Sequence, residues 1–181
     1  MTEPLVFLPL AGQRPHVGIP AGWCIAAQDV SEDDYAYYRW LRRLWSGWAE
    51  RKPRTLLVVE HDICVPPGLL EEMAACPHTL CAARYDLYAP FGIPPAAACR
   101  NVGGPAEGDW ADLACLGCSK FGAERPAWPL PDPLPWWLLD SSLAGALRLL
   151  GLRWHLHGRV EHMHRSPRIS AITSNSPLAA I

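Results

Sequence analysis

The sequence predicts an α/β domain with a mainly parallel sheet flanked by helices. Three observations lead there. Thr55 to Val59 (TLLVV) is a nearly continuous apolar run without alternation, as expected of a strand covered on both faces. Strand-like and helix-like patterns alternate through the first half of the chain. With 181 residues, half of them hydrophobic and 19% charged, the chain is long enough to bury one substantial core.

Leu5–Leu10 (LVFLPL) reads as a first strand, with Pro9 placing its end at a sheet edge. Residues 11–22 are rich in Gly and Pro and read as loop. Trp23–Ala27 gives a second strand, ending at Gln28 and Asp29. Ser31 then stands as an N-cap with Asp34 as its capping-box partner. In the helix that follows, Tyr37, Leu41, Leu44 and Trp48 share one face, opposite Arg39, Arg43, Ser46 and Glu50. Pro53 stops it. After the TLLVV strand and Glu60-His61-Asp62, Pro66-Pro67 opens a helix through Leu69, Leu70 and Met73. Thr79–Ala83 is a further strand candidate, residues 84–112 read as irregular, and Ala114–Phe121 is a short apolar segment. Five prolines break 126–135. A helix from Trp136 to Leu150 buries Leu139, Leu143, Leu147 and Leu150 and ends at Gly151. Arg153–His164 is a last extended stretch. Residues 1–165 form a single domain in this reading, with 166–181 as a tail.

Composition excludes several classes of function. A formal net charge of -2 gives no field that would draw the chain to nucleic acid. No apolar run approaches the ~20 residues of a membrane-spanning helix. The start Met1-Thr2-Glu3-Pro4 lacks a basic segment ahead of its apolar run. With seven cysteines in no regular framework, this suggests reduced thiols and a cytoplasmic setting.

Three constellations carry chemistry. Glu60 and Asp62 close the buried strand, where acidic side chains are costly unless they meet a cation. Hard oxygen ligands there suit Mg²⁺ or Mn²⁺. His155, His157, His162 and His164 crowd into ten residues. Period two puts His155 and His157 on one face and His162 and His164 on the other, and the group could equally indicate zinc. Asp140 lies in the first turns of an apolar helix, placed either for the helix dipole or as a general base beside Trp136 and Trp137. Cys115-Leu-Gly-Cys118 is a lone CxxC whose Gly117 could let the backbone approach a ligand.

The run TLLVVEHDICVPPGLLEEM resembles the metal-motif strand and following helix of GT-A-fold glycosyltransferases, particularly family 2-like members. The segment LGCSKF at 116–121 is similar to that family's acceptor-side segment. LLDSSLAGALRLLGLRWHLHGRVEHMH resembles its acidic helix start followed by a strand and a histidine. The likeness spans about residues 23–165. It implies a compact GT-A-like, Rossmann-like domain that transfers a sugar from a nucleotide-sugar donor to an acceptor hydroxyl with inversion. Asp140 would be the base and Mn²⁺ or Mg²⁺ the cofactor, held by Glu60, Asp62, His162 and His164. Asp29 would contact the nucleoside, with Gly117, Trp136 and Trp137 at the substrates. The metal motif here reads Glu-His-Asp rather than Asp-x-Asp, and Leu139 replaces the first acid before Asp140. The motifs name no acceptor and are compatible with a homo-oligomer. Two other readings compete: a zinc-binding hydrolase or structural zinc module using the C-terminal histidines, and a non-catalytic sugar-binding relative.

Overall fold

A computed structural model describes residues 3–11, 17–47, 54–87 and 96–163. The elements run β1 (Leu5–Leu10), β2 (Cys24–Asp29), α1 (Ala36–Trp45), β3 (Leu56–Val59), β4 (Ile63–Cys64), α2 (Leu69–Ala75), β5 (Leu80–Arg84) and β6 (Asp86–Leu87). There follow β7 (Ala96–Ala97), β8 (Cys99–Asn101), β9 (Gly104–Pro105), β10 (Trp110–Ala111), β11 (Leu113–Ala114), β12 (Cys118–Phe121), α3 (Trp136–Leu149), β13 (Trp154–Arg159) and β14 (Glu161–His162).

Seven strands form the central sheet in the order β10-β13-β5-β12-β3-β1-β2. Its strand directions overturn the expected compact GT-A-like, mainly parallel, helix-flanked sheet. β1 runs parallel to β2 and β3, and β13 runs parallel to β5. β12 lies antiparallel between β3 and β5, and β10 is antiparallel to β13. Every pairing in the three small sheets is antiparallel as well. The sheet is therefore mixed, and the three helices among the described residues are short, with 10, 7 and 14 residues. Leu56–Val59 of the TLLVV run are buried, with Thr55 half-buried ahead of the strand, but burial on both faces does not fix strand direction.

Period two divides the β3 side chains between two apolar layers. Leu56 and Val58 join Phe7, Phe121 and Trp154 beneath α1 and α3. Leu57 and Val59 join Val6, Leu8 and Cys118 against Leu69, Leu70 and Met73 of α2. Trp45 and Phe121 pack with ring centroids 4.7 Å apart, and Phe121 meets Trp154 edge-on at 5.5 Å.

Several local expectations change. β1 is interior rather than an edge. Its register with β3 ends at Phe7↔Val58, so Pro9, which has no N–H to give, pairs only with Gln28 of β2. Helix α1 starts at Ala36 rather than after Ser31. The Asp29 carboxylate accepts the Ser31 N–H and Asp33 accepts the Tyr35 N–H, so local turns occupy the segment read as a capping box. Trp48 and Glu50 fall outside the described residues. On α3, Leu139, Leu143 and Leu147 are buried as expected, whereas Leu150 lies past the last turn and is exposed. Residues 96–111 hold four short strands where an irregular stretch was expected. The tail 166–181 lies outside the described residues. No helix among the described residues is long and apolar enough to cross a membrane. All seven cysteines are free thiols.

Candidate functional site

The end of β3 is locked by its neighbour: the Glu60 N–H donates to the Gly117 carbonyl at 2.8 Å. The chain then turns, the Ile63 N–H donating to the Glu60 carbonyl at 3.1 Å. β4 follows and pairs antiparallel with β14, setting His162 opposite Ile63. This pairing brings His162 Nε2 to 3.1 Å from Asp62 Oδ2, and the Met163 N–H donates to the Asp62 carbonyl at 2.7 Å. Two groups 100 residues apart in sequence therefore share one strand pair.

Asp140 enters from the first turns of α3. Its Oδ2 accepts the Leu116 N–H at 3.3 Å. The Tyr37 hydroxyl, from α1, donates to Glu60 Oε1 at 3.0 Å. The Tyr85 oxygen accepts the Gly117 N–H at 3.0 Å, and the Tyr85 ring meets His162 at 5.7 Å.

These groups line one cavity of about 300 Å³. Its wall comprises Glu60, His61, Asp62, Asp140, His162, Tyr37, Tyr85, Trp136 and Trp137, with Pro9, Ala11, Val30 and Leu87 as the apolar remainder. Trp136 and Trp137 stand 37% and 52% exposed, unusual for such large apolar rings, and contact each other edge-on at 5.7 Å.

The electrostatics follow from burying three carboxyls together. Burial pushes the Asp140 carboxyl up to about 6, against the Leu116 N–H and the Cys115 thiol, which pull it down. Burial also raises Glu60 well above the usual carboxylate range, and the charges of Asp140 and Asp62 raise it further. Burial raises Asp62 too, but the bond to His162 and the charges of His162 and His61 outweigh it, so its carboxyl is held below the ordinary value. The bond to Asp62 raises the His162 imidazole despite its burial. One carboxylate is thus charged and paired, and two are biased towards carrying a proton. Asp62 Oδ1 and His61 Nε2 are buried without a hydrogen-bond partner among the described residues.

Of the residues singled out in the sequence, Glu60, Asp62, Asp140, His162, Trp136 and Trp137 meet in this cavity. His164 lies outside the described residues. Gly117 is not on the cavity wall. A Cβ there would fall 2.4 Å from the Tyr85 hydroxyl, so its small size serves packing against Tyr85. Asp29 is exposed at the end of edge strand β2, next to the cavity residue Val30. Without His164, the described members Glu60, Asp62 and His162 do not bring one donor atom each within 4.8 Å of the other two. Among the described residues, the His, Cys and acidic donors that lie within 4.8 Å of one another are those of Cys76, Cys81, His155 and His157. The histidine-rich stretch therefore divides, His155 and His157 facing cysteines and His162 facing Asp62. Tyr37 escaped notice as a site residue because its spacing marked it as core. Tyr85 carried no sequence signal.

No family model matches the chain, and no curated protein matches it. Among solved structures, the crystal structure of A197 from STIV is similar, with a TM-score of 0.55 at 10% identity, over 88% of this chain and 83% of that one. At that identity the likeness is one of fold.

Proposed function

We propose that the cavity is the active site of a transferase that moves a glycosyl group from a nucleotide-sugar donor to an acceptor hydroxyl. One observation carries the reading: Glu60, Asp62, Asp140 and His162, from separate parts of the chain, meet in one cavity beside two half-exposed indoles. Indole faces give a sugar ring a flat apolar platform at low entropic cost. Two of the motifs that resemble glycosyltransferases, at 55–73 and 138–164, contribute Glu60, Asp62, Asp140 and His162 to this cavity wall.

Asp140 acts as the general base. A carboxyl near 6 is mostly ionised at neutral pH and basic enough to accept a proton during attack. The acceptor oxygen forms a bond to the anomeric carbon while its proton passes to Asp140. The bond from that carbon to the donor's terminal phosphate oxygen breaks, its electron pair leaving with the nucleoside diphosphate, and the configuration inverts. Tyr37 holds Glu60 at the wall through its hydroxyl. The cavity wall has no Lys or Arg among the described residues, so these side chains alone would repel a diphosphate. The buried, unpartnered Asp62 Oδ1 is a hard oxygen donor that suits Mn²⁺ or Mg²⁺, and His162 orients it through Oδ2. Such an ion, when bound, supplies electrostatic stabilisation of the leaving diphosphate.

The test is thermal unfolding with Mn²⁺ and a panel of nucleoside diphosphates, paired with a screen of nucleotide sugars for diphosphate release. A ligand at 100 times its Kd should stabilise the wild type by about 2.7 kcal/mol, and Asp62→Ala should abolish the Mn²⁺-dependent part. A wild type that neither responds to any diphosphate nor releases one from any donor refutes the reading.

A further inference from the structure

Away from the acidic cavity, a second cluster of donors is drawn together from three elements. Cys76 caps the C-terminus of α2, Cys81 lies in β5, and His155 and His157 lie in β13. The parallel register sets His155 beside Cys81, and period two turns His157 to the same face. Cys81 and His157 are buried, and none of the four lines the acidic cavity.

We propose that Cys76, Cys81, His155 and His157 bind one divalent ion of the zinc class. Their four donor atoms all lie within 4.8 Å of one another. Zn–S bonds of about 2.3 Å and Zn–N bonds of about 2.0–2.1 Å at a tetrahedral angle place a sulfur about 3.6 Å from a nitrogen, and two nitrogens about 3.3 Å apart. The separations found are 3.5 Å from Cys76 Sγ to His155 Nδ1 and 3.2 Å from His155 Nδ1 to His157 Nε2.

The surrounding contacts fit the same assignment. His157 Nδ1 lies 2.7 Å from Glu72 Oε1. A carboxylate there places the ring proton on Nδ1 and leaves the Nε2 lone pair facing the cluster, the carboxylate–histidine–metal arrangement. His155 is held from outside by the rings of His78 at 4.5 Å and Trp110 at 5.1 Å. Buried Lys120 donates to the carbonyls of Cys76 and His78, fixing the loop that carries the first thiol. Two thiolates and two imidazoles neutralise a divalent ion and leave no position for water, so the site is structural. It ties α2 to β5 and β13, and β13 leads directly into the strand that bears His162.

Protein grown with added zinc and passed over a desalting column should carry one zinc per chain by mass spectrometry. Cobalt substitution should give the intense visible bands of a tetrahedral thiolate site. Cys81→Ser and His157→Ala should each lose the metal. Because these buried changes could unfold the chain, two milder variants accompany them. Cys76→Ser, at a half-buried position, should remove the thiolate band or reduce it by half. Glu72→Gln should weaken zinc in a chelator competition by about 10- to 100-fold. Asp62→Ala should keep its zinc, which separates this site from the proposed active site. A folded, metal-free wild type after zinc growth overturns the proposal and reduces the cluster to an imidazole–thiol hydrogen-bond chain. Full zinc retention by folded Cys76→Ser and unchanged affinity in Glu72→Gln would also overturn it.

Discussion

Replacing Asp140 by Asn separates a catalytic burden from a structural role. Asn has nearly the same shape, and its side-chain oxygen can still accept the Leu116 N–H that Asp140 Oδ2 takes at 3.3 Å. What it removes is a charge in a half-buried wall already shared with Glu60 and Asp62. The carboxyl rises from 3.8 to about 6 on folding, chiefly through burial. At about 1.36 kcal/mol per unit, ionised Asp140 costs on the order of 3 kcal/mol at neutral pH. That figure already includes the pull of the Leu116 and Cys115 bonds towards the ionised form; an amide replaces the protonated carboxyl imperfectly, so the net gain for Asn is about 1–3 kcal/mol. With about 2.1 cal/mol/K of unfolding entropy per residue over 181 residues, this corresponds to a Tm increase of roughly 3–8 °C. The pH dependence carries the sign. A carboxyl raised in the folded state binds its proton more tightly there, so its contribution is fully favourable below the unfolded value near 3.8. That contribution is lost as pH climbs through about 6. The variant and wild type should therefore unfold together near pH 4, diverge between 4 and 6, and keep a constant gap above. Thermal unfolding monitored by circular dichroism from pH 4 to 8 reads this directly, and the glycosyl transfer proposed for the cavity should be lost in the same variant. A variant less stable than wild type at pH 7.5, or a gap unchanged from pH 4.5 to 7.5, would refute the assignment of Asp140 as a buried, strained carboxylate.

Other substitutions probe the frame around the cavity. Gly117→Ala sets a methyl group 2.4 Å from the Tyr85 hydroxyl and 2.8 Å from its Cζ, and displaces the N–H bond to that oxygen. Overpacking and one lost bond predict about 2–4 kcal/mol of destabilisation, and Tyr85→Phe in the same chain should relieve only part of it, since Cζ remains; an unchanged Tm would show that Tyr85 can swing away. Arg125, 8% exposed, donates to the carbonyls of Gly122 and Trp45 at 2.8 Å each, to that of Leu44 at 3.5 Å, and to that of Arg54. Arg125→Met strands these acceptors and should cost at least about 3 kcal/mol, read as a lower urea midpoint at constant slope; an unshifted midpoint would mean water replaces the guanidinium. Trp137→Ala should leave stability within about 0.5 kcal/mol, because the ring is already 52% exposed, while raising the KM for a sugar substrate about 3- to 10-fold; an unchanged KM would remove Trp137 from the binding surface.

What the sequence determined by itself was local. The apolar TLLVV run meant a strand covered on both sides, and its Leu56–Val59 are all buried. Spacings of three and four put Tyr37, Leu41 and Leu44, and later Leu139, Leu143 and Leu147, on buried helical faces. The clustering of acids after β3 and of histidines near residue 160 was equally visible, because each is a short stretch of chain. Strand direction was not visible. CSKF reads the same whether it runs with its neighbours or against them; the paths of the chain into β12 and β10 made the sheet mixed. Tertiary structure also split the four histidines. The pairing of β14 with β4 carried His162 to Asp62, and the register of β13 on β5 carried His155 and His157 to Cys76 and Cys81. The same packing raised Asp140 to about 6. Periodicity records which face of an element is apolar; which polar groups share a low-dielectric space depends on how the elements are assembled, and no spacing along the chain encodes it.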